Sequence, residues 1–144
     1  LFGGGFALAQ GFSESGLTLW LAEQLSILQG TGIILIILAV VLLVLFLTEM
    51  TSNTETASLL LPVMGALAVS IDMNPLGLMV ASVVAASFSF MLPVATPPNA
   101  SVFSTRLVGI TQMATTGFWL NLVGVVMITG FVYLVLPLAW GITL

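Results

Sequence analysis

The polar stretch TEMTSNTET, residues 48–56, lies between two apolar runs and decides how the chain is expected to fold. The run before it, residues 32–47, would span about 24 Å as a helix, which is less than the roughly 30 Å of a bilayer's hydrocarbon core. The run after it, residues 57–71, is similarly short, and we expect Pro62 to break it. Two short apolar helices joined by a polar tip predict a re-entrant helical hairpin over residues 30–74. Two ordinary spanning helices with a tight loop fit the same lengths.

The composition is typical of a protein that lies in a lipid bilayer. The 144 residues are 60% hydrophobic and only 4% charged, whereas roughly a quarter of the residues of a soluble protein carry charge. Backbone polar groups inside a bilayer must be satisfied internally, and a helix does this within one segment. We therefore expect an all-α integral membrane protein.

The residue types that are missing exclude several functions. The chain has one basic residue, Arg106, against five acidic residues, so it lacks the clustered cations that bind nucleic acid. It has no His and no Cys, which excludes imidazole catalysis, thiolate nucleophiles and the usual zinc sites within this sequence. The acidic residues are too scattered to resemble a paired-carboxylate catalytic motif. We do not expect an enzyme.

Residues 1–29 precede the hairpin and contain two different patterns. Residues 1–12 are glycine-rich and are typical of the end of a packed membrane helix. In residues 13–29, leucines recur at helical spacing around Trp20, which predicts an interfacial amphipathic helix with Trp20 at headgroup depth. A helix packed on the protein is the alternative. Because Leu1 opens an apolar stretch with no charged n-region or cleavage site, we expect a fragment of a longer protein.

A second interruption has the sequence PVATPPN, residues 93–99. A helix rich in Ala and Ser is predicted over residues 76–94, and the consecutive prolines must end it because they remove backbone donors and restrict the residues before them. A short second half over residues 99–108 then gives a broken transmembrane helix within residues 75–108. Its break is expected at residues 93–98.

The last segment, residues 109–144, contains the longest apolar run. We expect a final transmembrane helix over residues 112–136, ended at the membrane interface by Pro137 and Trp140. Arg106, just before this segment, fits a cytoplasmic loop.

Each interruption exposes helix ends that can bind ions. A helix N-terminus presents free N–H groups and a partial positive charge, so it can hold a small anion without Lys or Arg. Carbonyls that precede a break lose their helical donors and suit a desolvated Na⁺. At the second interruption these are the carbonyls of Pro93, Val94 and Ala95. Interrupted apolar segments of this kind are typical of binding sites in secondary transporters. The alternative for the first interruption is a capping box in which Ser52 and Glu55 satisfy each other's backbone N–H groups.

These motifs resemble those of a known transporter family. TEMTSNT at residues 48–54, followed by Leu61-Pro62 and then by MLPVATPPNA at residues 91–100, closely resembles the C-terminal half of the divalent-anion:sodium symporter (DASS) family of di- and tricarboxylate transporters. The resemblance covers essentially the whole chain, including FGGG at residues 2–5. It implies a homodimeric, elevator-type transporter built from two inverted repeats. This chain would be the C-terminal repeat, with its re-entrant hairpin and broken helix.

The resemblance also implies which residues bind the transported ions. Asn53 and Thr54 would contact a carboxylate of the substrate, with Pro97 beside it. A sodium site would draw on four residues, the last through its backbone: Thr48, Thr51, Asn53 and Ala95. Glu55 stands where the family pattern has a small or hydroxyl residue, so a role in charge selectivity is an alternative to its role in the capping box.

The expected function is sodium-coupled transport of di- and tricarboxylates such as succinate, malate and fumarate, with Na⁺ as the coupling ion and this chain as half of the transporter. The expected partners are the anion, Na⁺, the lipid bilayer, the N-terminal repeat and a second copy of the protein. The expected location is the plasma (cytoplasmic or inner) membrane, as a multi-pass protein. A symporter of sulfate or another inorganic anion is the alternative, because helix ends recognise negative charge more than carbon skeleton. A non-transporting structural membrane subunit is the second alternative, its polar residues serving as caps and interhelical contacts.

Overall fold

The computed structural model describes residues 32–141 continuously. Before them it describes only isolated residues, namely Ala7, Gln10, Gly11, Glu14, Ser15, Gly16 and Trp20. The glycine-rich helix end and the amphipathic helix expected in residues 1–29 therefore lie outside the described residues, apart from these few positions.

All regular elements within residues 32–141 are helical. In chain order they are α1 (Ile33–Thr48), α2 (Asn53–Ser70), α3 (Pro75–Ala86), α4 (Pro97–Ser104), α5 (Ile110–Gly130) and α6 (Leu136–Trp140), with a π-helical segment, Phe131–Val135, joining the last two. The all-α class expected from the composition agrees with this part of the chain.

The helices α1 and α2 flank the polar tip. The first is apolar up to Leu47 and ends at Thr48. The second begins at Asn53 and continues through Pro62, so the expected break at that proline is wrong. A proline removes one helical hydrogen bond, and the buried side chains of Leu60 and Val63 beside it hold α2 against the core. Packing therefore offsets the missing bond.

The helix α3 is shorter than its sequence indicates. It ends at Ala86, whereas the apolar pattern extends to Val94, so the chain leaves the helix well before the prolines. The backbone N–H groups of residues 90–92 are bonded by a side chain from the tip rather than by the preceding turn of α3. The N–H groups of Ser87 and Phe88, which come directly after α3, bond to the Val84 and Ala85 carbonyls three residues back, so the helix closes in a tighter turn at this point.

The helix α4 begins directly at two prolines. Pro97 and Pro98 occupy its first turn, where a missing N–H removes no helical bond, and the Thr96 hydroxyl accepts the Asn99 N–H at 3.4 Å. The prediction that both prolines belong to the break and that the short helix starts at Asn99 is wrong by two residues. The break is therefore residues 87–96, with the prolines inside α4.

The last helix passes the proline that was expected to end it. Residues Ile110–Trp140 form one apolar helix of 31 residues, and the π-helical segment ends at Val135, two residues before Pro137. A π-turn changes the hydrogen-bond register, which accommodates a residue that lacks a donor. Within the described part of the chain, this is the one helix that is long and apolar enough to cross a membrane by itself.

Packing brings the tip and the break together. The helix α3 packs on both α1 and α2, which touch each other little, and α5 packs on α1 and α3. The largest fully buried side chains of this core include Ile37, Leu45, Leu67 and Leu78. Because α1 ends at the tip while α3 leads into the break, their contact places residues 48–56 beside residues 87–96.

The outward face of α5 is strongly apolar. Its exposed large side chains include Trp119, Leu120, Val123, Val126 and Met127. A continuous surface of this kind suits lipid or another protein rather than water.

Candidate functional site

A cavity of about 630 Å³ lies between the tip and the broken segment. Residues from two distant parts of the sequence line it: Ser52, Asn53 and Thr54 from the tip, and Ser87, Ser89, Phe90, Ala95, Thr96, Pro97, Pro98 and Asn99 from the break and α4. The two interruptions identified in the sequence thus form one concave site.

The residues expected to contact an anion all line this cavity. Asn53 is half-buried, whereas Thr54 and Pro97 are exposed. Asn53 is the first residue of α2, and Pro97 is the first residue of α4. Two helix N-termini therefore meet at the cavity.

The N-terminus of α4 offers few free donors. Pro97 and Pro98 have no N–H group. The Asn99 N–H is accepted by the Thr96 hydroxyl at 3.4 Å, and the Ala100 N–H by the Thr96 carbonyl at 3.1 Å. The first turn of α4 is thus already satisfied by its own chain.

The N-terminus of α2 is different. The first N–H groups of a helix have no intrahelical acceptor, here those of Asn53, Thr54 and Glu55. Ser52 occupies the N-cap position, but its side chain accepts no capping hydrogen bond. The capping box expected from Ser52 and Glu55 is therefore not formed, because the Ser52 hydroxyl does not reach the backbone donors it would satisfy. Within the described residues, these three N–H groups remain available.

The residues expected to bind sodium are only partly gathered. Asn53 and Ala95 line the cavity, and Ala95 is 9% exposed. Thr48 lies behind Asn53 and is fully buried. Its hydroxyl is 2.9 Å from Asn53 Oδ1 and 2.8 Å from the Ala86 carbonyl oxygen. Since a hydroxyl has one proton, it donates to one of these oxygens at a time, and the other is free to accept elsewhere.

Thr51 is not among the residues that line the cavity. Its hydroxyl donates to the Leu47 carbonyl at 2.9 Å and lies 2.6 Å from the Thr56 hydroxyl. Thr51 therefore satisfies the C-terminal end of α1 with its side chain, and its hydroxyl is not placed beside Asn53 and Ala95.

Sequence reasoning missed the most heavily bonded side chain of this region, Glu49. It is 3% exposed. Its Oε1 accepts the Phe90 N–H at 2.8 Å and the Met91 N–H at 3.0 Å, and its Oε2 accepts the Met91 N–H at 3.1 Å and the Leu92 N–H at 3.2 Å. The Asn121 side-chain amide on α5 donates to Oε1 at 2.6 Å.

Every contact of Glu49 donates a hydrogen, which suits the acceptor-only ionised carboxylate. The only basic residue of the sequence, Arg106, is exposed. Within the described residues, the charge of Glu49 is therefore met by N–H dipoles rather than by a cation.

A signal for this contact was present in the sequence. An ionisable residue inside an apolar membrane segment is a functional candidate by default. Glu49 lies two residues after the end of one apolar run, and Asn121 interrupts another. The partner was not predictable, because no local pattern links residues that lie 41 to 72 positions apart.

The same loop is also held through its carbonyls. The Asn99 side-chain amide donates to the Ser89 carbonyl at 2.9 Å and to the Leu92 carbonyl at 3.0 Å. The Ser89 hydroxyl donates to the Thr48 carbonyl at 3.1 Å. Residues 89–92 are thus bonded on one side by Glu49 and on the other by Asn99.

Comparison with known proteins supports one family for the whole chain. The family described as "Sodium:sulfate symporter transmembrane region" matches residues 1–144. The sodium-dependent dicarboxylate transporter SdcS of Staphylococcus saprophyticus is 51% identical over 142 residues, which is 99% of this chain and 27% of the relative. SdcS of Staphylococcus aureus strain USA300 and SdcS of strain NCTC 8325 are each 50% identical over the same shares.

The chain spans 27% of the length of these relatives. The relatives are transporters rather than enzymes, and proteins of this kind lie in membranes, which agrees with the apolar helices of the structure. On the match over its full length, the chain belongs to the sodium:sulfate symporter transmembrane family, the divalent-anion:sodium symporter family whose motifs it carries.

Proposed function

We propose that the protein containing this chain couples Na⁺ to the transport of di- and tricarboxylates of the succinate, malate and fumarate type. The observation that carries the proposal is the cavity shared by Asn53 and Thr54 of the tip and by Ala95 and Pro97 of the broken segment. The names of relatives about half identical to this chain support the choice of substrate class and coupling ion.

The anion is bound at the N-terminus of α2. Its free N–H groups, the Asn53 amide and the Thr54 hydroxyl are all neutral donors, and together with the helix dipole they can hold a carboxylate. The satisfied first turn of α4 cannot add backbone donors, so Pro97 contributes surface beside the anion rather than hydrogen bonds. A site without Lys or Arg also releases its anion more readily, which a carrier requires.

The sodium ion binds beside the anion. Asn53 Oδ1, the Ala95 carbonyl and the oxygens of Thr48 are hard neutral ligands of the type that Na⁺ accepts, and Thr51 contributes through its backbone. Because Asn53 belongs to both sites, a bound cation raises the affinity for the anion, and linkage makes the effect reciprocal. This reciprocity is the basis of the coupling.

The remaining features follow from the family resemblance. The chain is part of the C-terminal repeat of an elevator-type homodimer in the plasma membrane, where α1 and α2 form a re-entrant hairpin and α3 and α4 a broken helix within a multi-pass protein. At 27% of the length of its relatives, the chain is a quarter of such a transporter rather than half. The other half of the substrate site comes from the N-terminal repeat.

Sulfate is the second candidate substrate. The family description names it, and a helix N-terminus recognises sulfate as well as a carboxylate. Relatives at 50% and 51% identity that are named for dicarboxylates favour the first candidate.

The test is uptake into proteoliposomes that contain the full-length protein. We expect uptake of radiolabelled succinate with an inward Na⁺ gradient and none with K⁺, and inhibition by unlabelled malate but not by equimolar sulfate. Inhibition of uptake by sulfate but not by malate would support an inorganic-anion symporter instead. A protein that shows neither uptake nor a Na⁺- and succinate-dependent rise in melting temperature would support the structural subunit.

Matched variants connect the activity to the cavity. Thr54→Ala removes an exposed helix hydroxyl at the cavity, and Thr115→Ala removes one on α5, where it donates to the Thr111 carbonyl at 2.9 Å. We expect Thr54→Ala to raise the succinate concentration for half-maximal uptake about fivefold, because it removes one hydrogen bond to the anion. We expect Thr115→Ala to leave this concentration unchanged. Sodium-independent uptake that also survives Asn53→Ala would overturn the proposal.

A further inference from the structure

Glu49 lies outside the cavity, yet it is bonded to the segment that forms one wall of it. Resting on the function proposed above, we infer that Glu49 is a positioning residue that fixes residues 90–92 between the tip and α5 and thereby sets the affinity for Na⁺.

The Glu49 carboxylate accepts hydrogen bonds from three successive residues of the loop. Three successive backbone N–H groups, those of Phe90, Met91 and Leu92, point at its two oxygens at distances between 2.8 and 3.2 Å. Hydrogen bonds to an ionised acceptor are about twice as strong as neutral ones. An irregular segment that would otherwise leave three donors unsatisfied in an apolar setting is thus held in one conformation.

A fourth donor to Glu49 comes from α5. Asn121 of α5 donates to Oε1 at 2.6 Å and is fully buried, while its own Oδ1 has no hydrogen-bond partner among the described residues. Among the described residues, Glu49 is therefore the one hydrogen-bond partner of this amide. Glu49 in this way joins α5, the tip and the loop.

Glu49 is connected to both walls of the cavity. Phe90, which Glu49 bonds, lines the cavity, and the loop runs on directly to Ala95 and Pro97. On the other side, Thr48 precedes Glu49 in the chain and lies 2.9 Å from Asn53 Oδ1 through its hydroxyl. One carboxylate thus ties together both walls of the proposed sodium site, so a change at Glu49 alters the spacing between Asn53 and Ala95 without touching either.

The test uses the full-length transporter in proteoliposomes, with Glu49→Gln as the main variant. The amide keeps the shape but replaces one acceptor oxygen with a donor that faces the loop N–H groups. We expect the half-saturating Na⁺ concentration to rise about tenfold, with less than a twofold change in the rate at saturating Na⁺. Glu49→Asp, which keeps the charge on a shorter side chain, recovers part of this shift.

Asp72→Asn is the matched control. Asp72 is an exposed carboxylate in the turn between α2 and α3, with a φ of 56° that asparagine also tolerates. We expect it to leave the Na⁺ dependence unchanged.

Hydrogen exchange separates positioning from general loss of structure. In Glu49→Gln, we expect peptides covering residues 88–92 to exchange faster while peptides from the middle of α5 do not. Faster exchange throughout the chain would show a general structural role and overturn the inference. So would a Glu49→Gln protein with an unchanged Na⁺ dependence, even if its loop exchanges faster.

If Glu49→Gln does not fold, Asn121→Ala decides. It removes one of the donors to Glu49 together with an unsatisfied buried acceptor, so it perturbs the fold less, and we expect a rise in half-saturating Na⁺ of about threefold. An unchanged half-saturating Na⁺ concentration in this variant would contradict the inference. A wild-type protein that shows no Na⁺-dependent uptake would instead reject the proposed function, and the exchange measurement would then still report whether Glu49 holds the loop.

Discussion

Gly117 of α5 lies so close to the Phe90 carbonyl that a Cβ at position 117 would be 2.4 Å from the Phe90 oxygen and 2.6 Å from the Met91 Cα. Both contacts are with backbone, which cannot rotate away. The helix α5 therefore needs a residue without a side chain at this point for the loop to lie against it, one turn before Asn121, which donates to Glu49.

Gly117→Ala is expected to destabilise the protein strongly. The added methyl group must push the loop away from α5, at a cost of about 1–3 kcal/mol, and it also disturbs the donors of Glu49. The measurement is the melting temperature of the full-length protein in detergent. Gly130→Ala is the control, since nothing lies within 4 Å of a Cβ there, and alanine in a helix stabilises by up to about 1 kcal/mol. Equal melting temperatures for the two variants would contradict the close approach.

Gly124→Ala is expected to be milder. A Cβ at position 124 would lie 2.6 Å from Cδ1 of the Phe88 ring, and a ring at the end of a side chain can turn aside, which breaks its edge-to-face contact with Phe90 at 5.6 Å. We expect a loss of about 1 kcal/mol. Combining it with Phe88→Leu should recover part of the melting temperature. A double variant no more stable than Gly124→Ala alone would show that the ring is not the obstacle.

Asn99→Asp tests the carbonyl side of the loop. The amide donates to the Ser89 and Leu92 carbonyls, and a carboxylate would present acceptors to acceptors. We expect a loss of about 2 kcal/mol, read as a lower melting temperature. Asn74→Asp is the control, because Asn74 caps α3 as an acceptor for the Leu76 N–H at 3.1 Å and aspartate caps equally well. Similar losses in both variants would argue against the role of Asn99.

Thr48→Val and Thr51→Val distinguish the two threonines of the expected sodium site. The Thr48 hydroxyl is buried beside Asn53 Oδ1, so its loss should misplace that oxygen and raise the half-saturating Na⁺ concentration about fivefold. The Thr51 hydroxyl is bonded to the Leu47 carbonyl, and we expect less than a twofold change from its removal. Uptake measured over a range of Na⁺ concentrations gives both values. A larger effect at Thr51 would place its hydroxyl at the ion.

Local signals in the sequence account for much of this region. The change from apolar to polar residues at Thr48 marks the end of α1, and the paired prolines at 97 and 98 mark an interruption of the apolar pattern, although the short helix begins at Pro97 rather than after them. Both features depend only on residues adjacent in the sequence, so short sequence motifs can predict them. The family resemblance then identifies the two segments that form the cavity.

The parts that the sequence did not predict depend on distant contacts. After α3 ends at Ala86, the N–H groups of residues 90–92 bond to the distant Glu49 side chain. The helix α2 continues through Pro62 because the flanking side chains are buried. At Ser52 a local motif failed to predict the structure: the capping-box residues are present, but the Ser52 side chain does not make the capping hydrogen bond. Propensity describes what a segment can do alone, and packing decides between the options.

The first turn of α4 has no free backbone donors, and this affects which part of the transporter distinguishes dicarboxylates of different length. A molecule such as succinate has two charged ends. Of the two helix starts that meet at the cavity, only that of α2 has open backbone donors among the described residues, because Thr96 and the two prolines satisfy or remove the donors of the other. We expect this chain to hold one end of the substrate and to be insensitive to the distance between the two carboxylates. Substrate length is then read by donors contributed from the remainder of the transporter, so variants that change the preference between shorter and longer diacids should map outside residues 32–141.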